Sequence, residues 1–280
     1  MKKNNINKHL LVALITLVAF KSQAQNVYLK VNGGYNFGTT SISESAANQQ
    51  QVSTVTTYEK SNIKFGKGFQ FAASVGLMFN KYIGTELQIG YLLGTNSKIK
   101  QTNANAGSIN ETNLSYSSNM LSFTPSLVLT PGFDKLNPYA RFGMCLGLTK
   151  VSVESESKST NLSGNVNSNE AGWQLSGGLG LGFTSSLGVA FKLNDKFTLF
   201  AELSNSTIMY KPKKGEIVLS KTNGVDDLAT YTVSEKETEF VDEYTYDSSA
   251  TQDKTKPTKE IRPNLSLGGM GFQIGTAFHF

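Results

Sequence analysis

The chain ends on FQIGTAFHF, residues 272–280, and the spacing of its apolar side chains indicates a strand rather than a polar tail. Large apolar residues recur at even positions, interrupted only by a threonine: Phe272, Ile274, Phe278 and Phe280. Gln, Gly, Ala and His fill the positions between them. A period of two is typical of a β-strand whose two faces meet different surroundings. A chain that stops on phenylalanine in such a strand is expected to have neighbours other than water.

The same alternation recurs in seven earlier segments, and no window of helical length after residue 25 carries a 3.6-residue apolar period. Short connections at 80–81, 131–137 and 194–196 alternate with long polar ones at 39–67, 95–120, 150–172 and 211–263. This order predicts an all-β fold, an eight-stranded antiparallel up-and-down meander with both termini at the rim of short turns. The eight segments are 26–38, 68–79, 82–94, 121–130, 139–149, 173–193, 197–210 and 264–280.

The less apolar face of these segments is made largely of small residues, and this indicates which face meets lipid. In residues 177–183, three glycines alternate with Leu179, Leu181 and Phe183. A face in water would carry Lys and Glu, whereas the interior of an eight-stranded barrel is only wide enough for packed side chains. We therefore predict a transmembrane β-barrel with short periplasmic turns and long extracellular loops. Its large apolar residues would face lipid, and closure would pair every backbone group in the hydrocarbon.

The first 24 residues have the features of a signal peptide, so we expect the barrel domain to comprise residues 25–280. Lysines precede the apolar run LLVALITLVAF (10–20), and small residues at Ser22 and Ala24 fit a cleavage site. The run is too short to span a bilayer. Of 26 basic residues, four lie in this segment, which leaves 22 against 21 acidic ones. Such a balance gives no support for nucleic-acid binding.

The domain resembles the small outer-membrane β-barrels of Gram-negative bacteria, of the porin-like or OmpA-like type common in Bacteroidetes. The resemblance rests on the strands NVYLKVNGGYNFG (26–38), GTELQIGY (84–91) and NPYARFGMCLGL (137–148). It implies location in the cell outer membrane and contact with outer-membrane lipid. It also implies that the last strand, with Phe272, Ile274, Phe278 and Phe280, is an assembly signal read by the barrel-assembly machinery. We expect no peptidoglycan-binding domain after that strand, and in this the chain would differ from OmpA-like proteins.

Charged residues on inward faces of alternate strands are the candidate functional site: Lys30, Glu86, Arg141 and Glu202. All four lie toward the short-turn rim, so they can share one layer. Because a charge in a narrow, largely dry lumen needs a partner, we predict an ion-paired network that closes the lumen. The alternative is a selectivity filter or a proton path. Shear between strands could displace one member.

No catalytic, cofactor or metal site is predicted. After residue 25 the only histidine is His279 and the only cysteine is Cys145, which is too little for a Ser–His–acid site or a cysteine-ligated metal. The repeat GGLGLG (177–182) has a period of two and no following helix, unlike a dinucleotide-binding loop.

Residues 226–247 hold eight acids and one lysine but no EF-hand spacing, so we expect a solvated loop rather than a calcium site. Residues 158–170 are expected to be mobile decoration, and Asn223-Gly224 is a hairpin signal.

The leading functional prediction is an integral outer-membrane barrel, not an enzyme, with a structural or surface-interaction role. Its long loops would contact any extracellular partner, and the barrel would be a monomer. The alternative is a narrow porin or channel for small solutes or small hydrophobic ligands. Eight strands argue against it, because water-filled pores usually need about sixteen. A secreted lipocalin-like carrier would require the apolar faces to point inward.

Overall fold

The computed structural model describes residues 26–38, 47–61, 63–105, 107–246, 249, 251 and 253–280, so the predicted signal peptide lies outside the described residues. In this part the chain is almost entirely β-structure, as predicted. No helix in it is long and apolar enough to cross a membrane. The strands are β1 (Asn26–Phe37), β2 (Ala47–Val52), β3 (Val55–Lys60), β4 (Lys67–Met78), β5 (Ile83–Gly94), β6 (Ser97–Asn105), β7 (Ser108–Leu129), β8 (Leu136–Asn161), β9 (Val166–Ser176), β10 (Gly180–Lys192), β11 (Phe197–Tyr210), β12 (Lys214–Thr222), β13 (Val225–Asp226), β14 (Glu237–Val241), β15 (Thr258–Ile261), β16 (Leu265–Ser266) and β17 (Gly269–His279); the helix α1 spans Val233–Lys236 and a 3-10 turn Leu228–Thr230.

Eight of these strands form a ring in which every neighbouring pair is antiparallel. The order is β1, β4, β5, β7, β8, β10, β11 and β17, and β17 pairs with β1 to complete it. Three tight connections lie at one rim, at residues 79–82, 130–135 and 193–196. The N-terminal end of β1 and the C-terminal end of β17 lie at the same rim, because Tyr28 pairs with His279.

Within the described residues, each of the four long polar segments contains paired strands, which corrects the prediction that they are loops throughout. β7 and β8 run well past the ring and stay paired from Ser108–Asn161 down to Leu129–Ala140. Beyond the ring a second sheet forms in the order β3, β2, β6, β7, β8, β9, β12, β14 and β15. Residues 158–170, expected to be mobile decoration, mostly belong to the β8–β9 pair. The hairpin predicted at Asn223-Gly224 is confirmed, with φ of 52° and 79° at its two central residues.

The predicted strand 173–193 is in fact two strands, β9 and β10. Gly177 and Gly178 between them have φ of 73° and 74°, a left-handed conformation that interrupts the strand and that glycine adopts without strain. β9 therefore pairs with β8 and β12 outside the ring, while β10 pairs with β8 and β11 inside it. The period of two runs across this break in the sequence, so the apolar pattern alone did not reveal it.

The two faces of the ring are divided as the sequence predicted. Large apolar side chains on the outer face are exposed, for example Val31 at 53% and Ile89 at 57%. Inward neighbours such as Asn32 and Gln88 are buried. Tyr210, at the far end of β11, is fully buried and faces inward. The ring thus has an apolar exterior, and polar side chains line much of its interior, unlike a water-soluble barrel.

Candidate functional site

The four predicted charged residues, here called the charge layer, meet inside the ring. Arg141 donates from Nη1 to Glu86 Oε1 and from Nη2 to Glu202 Oε1, the latter at 2.7 Å. Lys30 Nζ lies 3.6 Å from Glu86 Oε2 and 3.2 Å from Glu202 Oε2. Each carboxylate thus contacts both cations, and each cation contacts both carboxylates. The layer is neutral as a whole.

The charge layer is almost completely removed from solvent. Relative exposure is 4% for Lys30, 2% for Glu86, 5% for Arg141 and 2% for Glu202. The Lys30 ammonium also lies 4.2 Å from the centroid of the Phe200 ring, a cation–π contact. Charges buried to this degree are tolerated only when paired and hydrogen-bonded, and here every member is.

Two tyrosines complete the coordination of the glutamates, and sequence reasoning did not single them out. Tyr28 donates its hydroxyl to Glu86 Oε2 at 3.0 Å, and Tyr139 donates to Glu202 Oε2 at 2.8 Å. Ser186 accepts a hydrogen bond from Arg141 Nε at 3.1 Å. The available signal was local: each tyrosine precedes a cation of the charge layer by two residues, and so shares its inward face.

A glycine makes room for each of these tyrosine rings. Gly76 lies directly between Tyr28 and Glu86 in the register of β1, β4 and β5. Gly188 lies likewise between Tyr139 and Glu202 across β8, β10 and β11. A Cβ on either glycine would overlap the tyrosine ring above it. Each ring therefore crosses a neighbouring strand at the one position without a side chain, and reaches the glutamate beyond.

An apolar cluster, here called the outer plug, fills the interior at the end of the ring away from the short turns. Leu92 and Ile208 lie six residues beyond Glu86 and Glu202 on the same strands, roughly 20 Å along each strand. Two segments outside the ring strands enter the cluster with Phe65 and Leu267. The members are Ile63, Phe65, Leu92, Ile99, Met120, Cys145, Val151, Ile208, Tyr210, Leu265 and Leu267.

Hydrogen bonds hold the two entering segments in place. The Ser118 hydroxyl donates to the carbonyl of Phe65, and the Leu267 N–H donates to the carbonyl of Ile208 at 2.9 Å. The segments touch each other, since a Cβ on Gly66 would collide with the carbonyl oxygen of Leu267. The sequence analysis placed Phe65 in the long polar connection 39–67 and Leu267 in the last predicted strand, 264–280, and it did not predict that the two enter the interior together.

A small polar cavity separates the charge layer from the outer plug. Its volume is about 40 Å³, and its lining includes Asn36, Gln88, Thr124 and Gln273. Asn36 Oδ1 and Gln88 Nε2 are buried without a hydrogen-bond partner in the protein. A cavity of this size and polarity can hold a few water molecules, at roughly 10–15 Å³ each.

Comparison with known proteins identifies the family. A family model described as "Outer membrane protein beta-barrel domain" matches residues 10–234. The chain belongs to this family. Membership in the outer membrane protein β-barrel family implies location in the outer membrane. No curated protein matches the chain in sequence. Among solved structures, the crystal structure of Acinetobacter baumannii CarO2 is similar at 12% identity and a TM-score of 0.33, covering 90% of this chain and 99% of that one; so weak a likeness does not inform function.

The C-terminal strand of this outer membrane protein presents its predicted assembly residues outward. Phe272, Ile274 and Phe280 are exposed at 46%, 58% and 76%. Phe278 is half-buried, with its ring centroid 5.3 Å from that of Phe197 and 5.2 Å from that of Phe280. These three aromatic rings form a continuous edge-to-face row at the short-turn rim.

The remaining candidates of this outer membrane protein have ordinary surroundings. Cys145 is buried in the outer plug. His279 Nε2 lies 3.1 Å from the Thr198 hydroxyl at the short-turn rim. In the acidic segment, Thr232 donates its backbone N–H and hydroxyl to Glu235, which holds the pKa of that carboxyl below its usual value. Among the described residues, no three His, Cys, Asp or Glu side chains are grouped closely enough to hold a metal.

Proposed function

We propose that the chain is an eight-stranded barrel that spans the outer membrane with its lumen closed, and that it has a structural or surface-interaction role. The short turns would face the periplasm and the second sheet the exterior. Charged and apolar obstructions at two levels of the interior carry the proposal, because a lumen blocked twice is a poor route for solutes.

The strand register supports a closed barrel of this kind. A path that starts at Asn36 on β1 and passes from each residue to its partner on the next strand goes once around the ring. It returns to β1 at Asn26, an offset of 36 − 26 = 10 residues. The path is Asn36, Gly271, Ser204, Ser186, Arg141, Val128, Gly84, Met78 and Asn26. With a rise of about 3.3 Å per residue and a spacing of about 4.8 Å between strands, this offset gives a tilt of about 40°, within the ~35–45° of membrane barrels.

The two ends of the molecule are suited to contact different partners. The outward aromatic row at the C-terminal strand is suited to recognition by the barrel-assembly machinery during insertion. The second sheet reaches far from the ring through β7 and β8, so it is the surface an extracellular partner would meet first. Lipid would surround the apolar belt between these ends.

Conductance of the refolded protein in a planar bilayer tests the closed lumen. We expect no discrete current steps from the wild type, together with heat-modifiable migration on a gel that reports a folded barrel. Discrete steps from the folded wild type would contradict the closed lumen and favour the narrow channel. A chain that extracts with soluble proteins and shows no heat-modifiable form would contradict the membrane barrel itself.

A further inference from the structure

A shallow apolar groove crosses the outer face of the ring near the short-turn rim. Its volume is about 890 Å³, within the ~300–1,000 Å³ typical of small-molecule sites. It starts at Tyr82 and Pro131 on adjacent turns and runs across the wall to Phe272 on β17. Nearly all of its lining is apolar, so it would accept hydrocarbon rather than a polar ligand.

Small residues between taller ones form the groove. Ala140 on β8 lies between Leu129 and Leu187 in register, and Ala201 on β11 lies between Val189 and Ile274. Leu187 and Leu203 stand out from the wall with exposures of 68% and 63%. The depth of the groove thus comes from two alanines placed where most outward positions carry large side chains.

The rim beside the groove is positively charged. Lys81 and Lys135 lie on the two turns from which the groove starts, and the Thr130 N–H joins these turns by donating to the Tyr82 carbonyl at 2.9 Å. Both lysines are exposed, and neither is ion-paired with a carboxylate among the described residues. Lys81 Nζ lies 4.9 Å from the Tyr82 ring centroid and Lys135 Nζ lies 5.9 Å from that of Phe191, so each ammonium group lies beside an aromatic ring of the rim.

The neighbouring turn leaves this charge uncompensated. Lys192 is paired with Asp195 at 2.8 Å, and its N–H donates to the Lys135 carbonyl at 3.0 Å. The three turns together with Lys192, the last residue of β10, hold Lys81, Lys135, Lys192 and Lys196 against Asp134 and Asp195, a net charge of 4 − 2 = +2. Exposed lysines at a membrane surface attract anionic lipid headgroups.

We propose that this groove and its rim bind an anionic phospholipid of the periplasmic leaflet, with its acyl chains over Ala140 and Ala201 and its phosphate between Lys81 and Lys135. The site rests on the membrane-spanning barrel proposed above. A free phosphate would use the lysines but leave the apolar groove empty, and a neutral lipid would use the groove but not the charge. Only an anionic phospholipid fits both.

Native mass spectrometry of the protein refolded in zwitterionic micelles tests the site, with folding checked by heat-modifiable migration. Phosphatidylglycerol and phosphatidylcholine are added in separate samples. We expect wild-type adducts with phosphatidylglycerol to exceed those with phosphatidylcholine by about fivefold per lysine. Ala201→Phe should lose both adducts, because the new ring fills the groove. Lys81→Gln/Lys135→Gln should keep the phosphatidylcholine adduct and lose the preference for phosphatidylglycerol.

Matched variants control for unspecific effects. Ala73→Phe adds the same ring at another exposed alanine, on β4, which does not line the groove. Lys150→Gln/Lys211→Gln removes the same charge from the opposite end of the ring. Equal adducts with both lipids, or equal loss in Ala73→Phe and Ala201→Phe, would overturn the site while leaving the barrel intact. Failure of the wild type to reach a heat-modifiable form would instead contradict the barrel and, with it, the site.

Discussion

Glu86 accepts hydrogen bonds from Tyr28 and Arg141 and lies 3.6 Å from the Lys30 ammonium, so its removal affects three buried partners at once. In Glu86→Ala, two buried cations would share the single carboxylate of Glu202. Loss of one member of a buried pair costs about 3–5 kcal/mol of unfolding free energy. We expect a clearly lower urea midpoint, followed by circular dichroism and by loss of the heat-modifiable band.

Glu154→Ala is the matched control for that change, because Glu154 is an exposed carboxylate on β8 beyond the ring. It should change the free energy of unfolding by no more than about 0.5 kcal/mol, as surface substitutions usually do, and so leave the urea midpoint nearly unchanged. An unchanged midpoint in Glu86→Ala would mean that the charge layer does not contribute to stability.

The glycines opposite the glutamates give a second prediction at the residue scale. In Gly188→Ala the new methyl group would overlap the Tyr139 ring, and the ring would have to leave Glu202. Overpacking of this kind costs about 1–3 kcal/mol. Gly107→Ala, where a Cβ meets nothing within 4 Å, should be neutral in the same urea series. Equal midpoints for the two variants would show that Tyr139 is not held by this contact.

The residues of the charge layer could be predicted because position and chemistry were both visible in the sequence. An alternating strand assigns a charge to the inward face, and a buried charge demands a partner. Tyr28 and Tyr139 escaped prediction because their role depends on which residue of the next strand lies opposite. Strand register is fixed by pairings across the whole ring, and no local pattern reports it.

The bounds of a strand were predicted well only where one face of that strand meets an apolar environment. β11 has the predicted bounds, Phe197–Tyr210, because its outward side chains are apolar and its inward ones are not. The outer halves of β7 and β8 are as regular, but their side chains, as in ESESKSTN (154–161), are polar on both faces. Without a difference between faces there is no alternation to detect.

A substitution in the last strand can distinguish folding of the barrel from its delivery to the outer membrane. Phe280 is exposed and contacts Phe278 at the rim, so Phe280→Ser removes little packing. If the C-terminal strand is an assembly signal, this variant should refold in detergent as the wild type does, yet accumulate poorly in the outer membrane of cells. Phe133→Ser, an equally outward phenylalanine on the turn between β7 and β8, should accumulate normally. Normal accumulation of Phe280→Ser would contradict a signal at this residue.

On the scale of the whole molecule, alternation and connection lengths predicted a two-faced all-β chain, but not how the interior is filled. The outer plug depends on Phe65, which lies in a polar connection, and on Leu267, which lies at the start of the last predicted strand. Their apolar character is visible in the sequence, whereas their entry into the ring is a property of the folded chain: the two segments meet only because β4 and β17 both adjoin β1.

Because the charge layer and the outer plug both fill the interior, they lead together to a prediction about ion conduction. The charge layer and the outer plug lie on opposite sides of the polar cavity, in series along the same axis. Glu86→Ala/Arg141→Ala removes a neutral pair from the first, and Phe65→Ala/Leu267→Ala shortens one side chain from each of the two segments that enter the second. Because resistances in series are governed by the larger, we expect each double variant to remain silent in a planar bilayer. The fourfold variant should show discrete steps, provided that heat-modifiable migration shows it folded. Steps from the Glu86→Ala/Arg141→Ala variant alone would mean that the outer plug is permeable, and that the charge layer is the only barrier to ions.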